Sequence, residues 1–276
     1  KEAWEIRNLQ QEIWGSDEDF LYPADIHSRG FCMGSSLVTR SAGKPIGFLF
    51  GLNKFSGSQV PDTWHQRYRG DFRLESQLLG VLPAHRHSGI GEILKRAQAE
   101  LARKEGVHIV NWTVDPLQFG NAILNFAKLK AVAFDFYPNY YQFRNRANQV
   151  TASRLGITWL VDSERVKLGL SNSSDVPILN LGADVGIQRV NDAWTTLDLD
   201  NNSHTIAIEV PSDWTNLQGR DVQQAQKWRE TTDRLFHRYL GCEEGKYMIT
   251  TVAQDSAQRF LIAERIDPAL LQRLAR

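Results

Sequence analysis

Apolar residues between Ala3 and Trp14 fall at helical spacing: Trp4, Leu9 and Ile13 stand among polar neighbours, and Gly15 ends the run. A short amphipathic helix is predicted there. Ser35–Arg40 reads as a strand, Ser41-Ala42-Gly43-Lys44 as a turn, and Pro45–Leu52 as the returning strand of a hairpin. Lys54–Gly70 holds Gly57, Pro61 and Gly70 and reads as irregular, and Arg73–Val81 reads as a third strand. The strongest helical pattern is Ser88–Glu105, with Ile90, Ile93, Leu94, Ala97 and Leu101 on one face and Gly106 at its end. Val107–Thr113 then reads as a strand, Leu117–Lys130 as a helix after Asp115-Pro116, and Ala131–Tyr137 and Ile157–Asp162 as strands. The alternation over Arg73–Tyr137 is a layered α/β pattern.

Leu170–Pro177, with its run Ser171-Asn172-Ser173-Ser174-Asp175, reads as a linker. Beyond it come a strand at Thr205–Val210, a long helix at Val222–Leu240 with Trp228, Leu235 and Phe236 inward, and strands at Lys246–Val252 and Arg259–Ile266. Two domains are expected, residues 1–170 and a smaller α+β lobe over residues 176–276.

The 276 residues are enough for such a pair of cores. Thirty-two basic residues balance thirty-two acidic ones, which gives no signature of a nucleic-acid or anionic membrane partner. The two cysteines, Cys32 and Cys242, point to a reducing compartment rather than a disulfide framework. No apolar run approaches the ~20 residues of a membrane span, and no signal peptide opens the chain. A cytoplasmic protein is expected.

The candidate chemistry lies in Leu79-Gly80-Val81-Leu82-Pro83-Ala84-His85-Arg86-His87-Ser88-Gly89-Ile90-Gly91. A strand runs into a basic turn and then into a helix start punctuated by glycines. Glycines let backbone come close to an anion, and the unpaired N–H groups of the first helical turn point at it. Arg86 adds a charge-assisted bond. His85 and His87 lie in no metal-ligand spacing and read as solvated loop residues able to touch phosphate. Glu92 would repel a pyrophosphate unless it points outward. A dinucleotide-binding reading fails, because the third glycine is absent.

Arg-x-x-Gly-x-Gly after a strand ending Val-x-Pro resembles the phosphate-binding signature of the GNAT superfamily of acyl-CoA N-acyltransferases. The resemblance implies the GNAT fold, a mixed, mostly antiparallel sheet flanked by helices (α+β). It implies acetyl-CoA or another acyl-CoA as cosubstrate, no metal, and a small-molecule amine as acceptor. Leu79, Gly80 and Val81 would present amides to the pantetheine arm, and Arg86, His87, Ser88, Gly89, Ile90, Gly91 and Glu92 would surround the pyrophosphate. Asn121-Ala122-x-x-Asn125 falls where the superfamily places an asparagine near the coenzyme.

Trp112-Thr113-Val114-Asp115-Pro116-Leu117, Tyr137-Pro138-Asn139-Tyr140-Tyr141 and Ile208-Glu209-Val210-Pro211 resemble a bacterial subfamily of predicted GNAT proteins, some of whose members look like amino-acid N-succinyltransferases. The chain departs from it at Lys130, where relatives have Gly, and at Glu75 and Gln77, where relatives have His. Phe126 stands where the superfamily often has a proton-donating tyrosine. The usual first strand is missing ahead of the first helix, so the chain is expected to start late.

Transfer of an acyl group from a thioester to an amine needs a base, an oxyanion donor and a proton for the leaving thiolate. Glu75 is the candidate base; its bland alternative is an exposed glutamate paired with Arg73. The oxyanion donor would be a backbone N–H near Leu79. Tyr141, with Tyr137 and Tyr140 beside it, is the candidate acid or else a packing residue. Asn111, Thr113 and Asp115 share a face by strand alternation and are candidates for the acceptor pocket. Asp115 either holds an ammonium or shapes the turn with Pro116. A non-catalytic acyl-CoA-binding module and a succinyltransferase using Arg73 or Arg144 remain as alternatives. The C-terminal lobe is expected to cover the acceptor site or to form a dimer contact.

Overall fold

Two residues with positive φ, Ala42 at 47° and Gly43 at 79°, turn the chain between β1 (Gly34–Ser41) and β2 (Lys44–Phe55). A turn of that hand matches the twist of the strands it joins, and Ser41 pairs with Lys44 as the hairpin requires. The computed structural model describes residues 2–15, 18, 21–28, 33–55, 57, 59–141, 149–171, 178–183 and 186–276. Its contacts divide the chain into two units, Lys1–Gly57 with Tyr68–Trp112, and Ser58–Arg67 with Thr113–Arg276.

In the first unit, α1 (Glu2–Trp14) buries Ile6, Leu9 and Ile13 against Phe48. Trp4, expected on that inner face, is 59 % exposed; Ile6 takes the inner place, and Arg7 lies over the Trp4 ring. The stretch expected to be irregular holds a helix, α2 (Asp62–Tyr68), which belongs to the second unit but for its last residue. Its apolar signal is only Trp64 and Tyr68, four apart, which is too short a stripe to read in the sequence. β3 (Phe72–Val81) pairs antiparallel with β2 along most of its length. α3 (Ile90–Lys104) and β4 (Ile109–Val114) follow. Phe48 points to α1, whereas Gly47 and Gly51 face Ile90 and Gln98 of α3. Alternation therefore puts a helix on each face of β2, which explains its unbroken burial from Ile46 to Gly51. A Cβ on Gly51 would lie 2.8 Å from Gln98 Nε2, so glycine lets α3 settle on the sheet.

The buried face of α3 is rotated from the expected one. Leu94, Lys95, Gln98, Ala99 and Ala102 face inward, while Ile93 is 59 % exposed. The inner polar residues are matched: Gln98 Nε2 donates to Ser35 Oγ at 2.8 Å and Lys95 Nζ to Ser76 Oγ at 2.8 Å.

In the second unit, the helix expected over Leu117–Lys130 is a short α4 (Phe119–Ala122) that widens into a π-helical turn at Ile123–Lys128. Lys130 follows with φ 57°, a left-handed conformation that favours glycine.

β5 (Val132–Tyr141) and β6 (Ala152–Leu160) form an antiparallel pair, β6 starting earlier than expected. α5 (Glu164–Ser171) occupies the residues just before the expected linker, whose remainder, 172–177, lies outside the described residues. Next come β7 (Leu179–Asn180), β8 (Gln188–Arg189), a ribbon of β9 (Asn191–Asp192) and β10 (Thr196–Leu197), and β11 (Thr205–Val210). The unit is completed by α6 (Trp214–Arg220), α7 (Val222–Tyr239), β12 (Tyr247–Asp255), β13 (Gln258–Arg265) and α8 (Pro268–Ala275). The strand order is β6-β5-β12-β13-β11-β8, with β7 beside β12. All neighbours are antiparallel except β11 with β8 and β12 with β7. Asp213, Asp221 and Asp267 cap α6, α7 and α8, each carboxylate accepting from an amide three residues on. As expected, α7 buries Trp228, Leu235 and Phe236.

Candidate acyl-CoA site

β3 is paired on both sides for only part of its length. Its parallel ladder to β4 consists of Leu74 with Val110 and Glu75 with Asn111. Among the described residues, it pairs from Leu78 to Val81 with β2 alone. Alternate amides of Leu79, Gly80 and Val81 therefore face an open strand edge.

That edge leads straight into the basic turn. Leu82 N–H donates to Ile46 O, fixing the exit from the strand, and a 3₁₀ turn at Pro83–His85 follows. His87 has φ 62° and Gly89 φ 82°. Ser88 Oγ donates to His85 O at 2.6 Å, and Ile93 N–H closes the first turn of α3 on Gly89 O at 3.0 Å. A Cβ on Gly89 would meet nothing within 4 Å, so this backbone is open to an incoming group. The amides of Ile90 and Gly91 lie in the first helical turn, where no intrahelical acceptor exists. Arg86 is exposed beside them, its Nε donating to Val81 O at 3.3 Å.

Glu92 does not point outward as expected. It is buried and turned down the helix, where Arg96 donates to Oε1 from Nε at 3.0 Å and from Nη2 at 2.7 Å. That pair neutralises the carboxylate that would otherwise oppose an anion at the helix start. The turn thus fits a pyrophosphate.

Around the point where β3 leaves β4 stand several polar groups. Glu75 lies 3.6 Å from Lys54 Nζ rather than in an ion pair with Arg73. Arg73 is buried, its Nε donating to Gly70 O at 2.6 Å and its Nη1 to Asn111 Oδ1 at 3.4 Å. Lys95 Nζ sits 3.4 Å from the Trp112 ring centroid and bonds Ser76. Burial pushes its ammonium well below the ordinary lysine range, with Glu75 pulling the other way. Sequence reasoning passed over Lys95 because the apolar residues of α3 suggested a different face.

The remaining candidates belong to the second unit. Thr113 is half-buried near the end of β4. Asp115 is buried and fully engaged: Oδ1 accepts from Leu117 N–H at 3.0 Å, and Oδ2 from Trp214 Nε1 at 3.2 Å and Arg229 Nη2 at 2.7 Å. Asn121 is exposed on α4. Asn125 lies buried in the π-helical turn, and its Nδ2 has no acceptor among the described residues. Phe126 beside it is buried. Tyr141 carries the Arg154 guanidinium 4.8 Å over its ring and packs edge-on with Tyr140. Arg144 and Cys32 lie outside the described residues. Among the described residues no group of three or more His, Cys, Asp or Glu is placed to hold a metal, and no helix is long and apolar enough to cross a membrane.

Residues 2–126 match the Acetyltransferase (GNAT) family. That match covers less than half of the chain; it makes the N-terminal part similar to the GNAT family and supports an acyl-CoA-dependent transferase. No curated protein matches the chain. Among solved structures, it is similar to Chaetomium thermophilum Naa20 in complex with a bisubstrate analogue: 15% identity, TM-score 0.42, covering 62% of this chain and 85% of that one. It is similar to the ribosomal-protein-S18-alanine N-acetyltransferase from Escherichia coli at 13% identity and TM-score 0.42, covering 58% and 87%. It is also similar to mosquito arylalkylamine N-acetyltransferase like 5b at 14% identity and TM-score 0.43, covering 58% and 95%.

Proposed function

We propose that this chain transfers an acetyl group from acetyl-CoA to the primary amine of a small molecule such as an amino acid. The observation that carries the reading is the single-sided edge of β3 running directly into the open turn at Gly89. A long ligand with an anionic end and an amide-bearing arm is what such a track fits. In this reading the pyrophosphate sits on the amides of Ser88–Gly91 with Arg86 alongside, and the pantetheine arm lies along Leu79–Val81.

The amine nitrogen attacks the thioester carbonyl carbon, a C–N bond forms as the C–S bond breaks, and coenzyme A leaves. Glu75, partly buried on β3, accepts the proton that the ammonium must lose, directly or through water. An amide near Leu79 holds the oxyanion. The thiolate takes its proton from Tyr141 or from water. Asn111 and Thr113 line the acceptor side. Asp115 is not proposed as an ammonium ligand, because its own oxygens are already engaged by Leu117, Trp214 and Arg229. The motif Trp112-Thr113-Val114-Asp115-Pro116-Leu117 supports membership of the bacterial subfamily to which it is similar.

The test is thiol release from acetyl-CoA and succinyl-CoA with a panel of amino acids, arylalkylamines and short peptides. Turnover of acetyl-CoA with a small amine is expected, falling about 10²-fold or more in Glu75→Gln. Preference for succinyl-CoA would change the donor. Binding by calorimetry without turnover on any amine would make the chain an acyl-CoA-binding module instead.

A further inference from the structure

The place where β3 and β4 part is occupied from the α3 side by one side chain. Glu75 with Asn111 is the last paired position of that ladder. The next residue on each strand, Ser76 and Trp112, touches Lys95: Ser76 Oγ accepts from Nζ at 2.8 Å, and the Trp112 ring lies 3.4 Å from Nζ. Lys95 is 3 % exposed and Ser76 and Trp112 are nearly as buried. Among the described residues Lys95 makes no ion pair, and Glu75 is the only carboxylate that acts on it appreciably.

A lysine is a costly choice for this position. Removing an ammonium from water without a counter-ion is unfavourable, and one cation–π contact with one hydrogen bond does not offset it. Methionine would fill the same length of space with no polar end. What lysine adds is a directional link between two strands at the point where backbone pairing stops.

We propose that Lys95, with Ser76 and Trp112, is a positioning clamp that sets the opening between β3 and β4 for the arm of acyl-CoA. This rests on the reading of the β3 edge and its turn as the acyl-CoA site. The clamp acts on the arm and not on the pyrophosphate, which is held a full helical turn or more away at Ser88–Gly91. Lys95 itself does not touch the reacting atoms; it acts through Ser76 and Trp112.

The test uses calorimetry with two probes, acetyl-CoA and its nucleotide half, 3′-phosphoadenosine 5′-diphosphate, on the whole chain. Lys95→Met should melt no lower than wild type, weaken acetyl-CoA at least tenfold, and change the nucleotide half by less than twofold. Ser76→Ala should show the same pattern, and the double variant should lose no more than either single one. Should Lys95→Met fail to fold, Ser76→Ala carries the same two readouts. Acetyl-CoA affinity within twofold of wild type, or an equal loss for both probes, overturns the clamp. A wild-type chain that binds acetyl-CoA while Lys95→Met binds it equally sinks this inference alone; a wild-type chain that binds neither probe sinks the functional reading and the clamp together.

Discussion

Arg229 donates to Asp115 across 2.7 Å, joining α7 to the residue after β4, 114 positions earlier in the chain. Both side chains are almost wholly buried, and the guanidinium also lies 5.0 Å from the Trp214 ring. A buried pair of this kind is most costly when one partner alone is lost, because the other charge is left without compensation. Asp115→Asn is therefore expected to lower stability by about 3–5 kcal/mol, measured by urea unfolding. The double variant Asp115→Asn with Arg229→Met should recover part of that loss. A single variant as stable as wild type would show the pair to be idle.

Gly89 is the position where the proposed coenzyme turn is most sensitive. Its φ of 82° is reached by other residues at a cost of roughly 1–2 kcal/mol. Gly89→Asp adds a negative charge over the first amides of α3. Acetyl-CoA affinity should fall about tenfold or more, since an anion there loses the helix-start dipole and gains a repulsion. Calorimetry checks this, with circular dichroism to confirm the fold.

Lys130 occupies a left-handed backbone with φ 57°. Its carbonyl accepts from Arg165 Nη1, which holds it in place. Lys130→Gly should raise stability by about 1 kcal/mol by relieving the strain, less the extra freedom glycine gains when unfolded. A lower melting temperature would mean that the aliphatic stem of Lys130 over Gly169 outweighs the strain.

Two buried groups set opposing pH dependences. His27, against Phe48 and Phe50, has its pKa lowered from 6.5 to about 4 by burial. It stays neutral when folded and takes a proton when unfolded, so its contribution is full above pH 6.5 and fades towards about pH 4. Asp233, which accepts from Ser153 Oγ at 2.6 Å, is raised to about 6, chiefly by burial. It binds a proton more readily when folded, so its contribution is present at low pH and lost as pH rises through about 6. Melting curves between pH 4 and 7 should therefore rise more steeply with pH in Asp233→Asn than in wild type, and less steeply in His27→Gln. A profile unchanged in both variants would contradict these assignments.

What was legible in the sequence was local. The hairpin declared itself through Ala42-Gly43, and the turn ahead of α3 through Gly89, because positive φ demands particular residues. The burial of Lys95 and Gln98 was hidden, since their hydrogen-bond partners Ser76 and Ser35 come from strands 19 and 63 positions away. Asp115 read equally well as a turn residue or an ammonium ligand; only the arrival of Trp214 and Arg229 shows how its oxygens are engaged. Glu92 read as an outward side chain because the helix-dipole argument considers the terminus alone, whereas Arg96 one turn on draws it inward. The π-helical turn left no trace, as its residues would serve an α-helix as well.

The pairing of Ala133 with Ile249 has a practical consequence. A shortened chain ending near residue 170 would leave β5 with raw backbone along the side that β12 now covers, an invitation to self-association. Anyone dissecting this enzyme for expression should expect insoluble fragments from such a cut, even though the matched family region ends upstream of β5 at residue 126. The residues after about 170 thus supply the strand that covers β5, and a cut there is a poor route to a smaller folded chain.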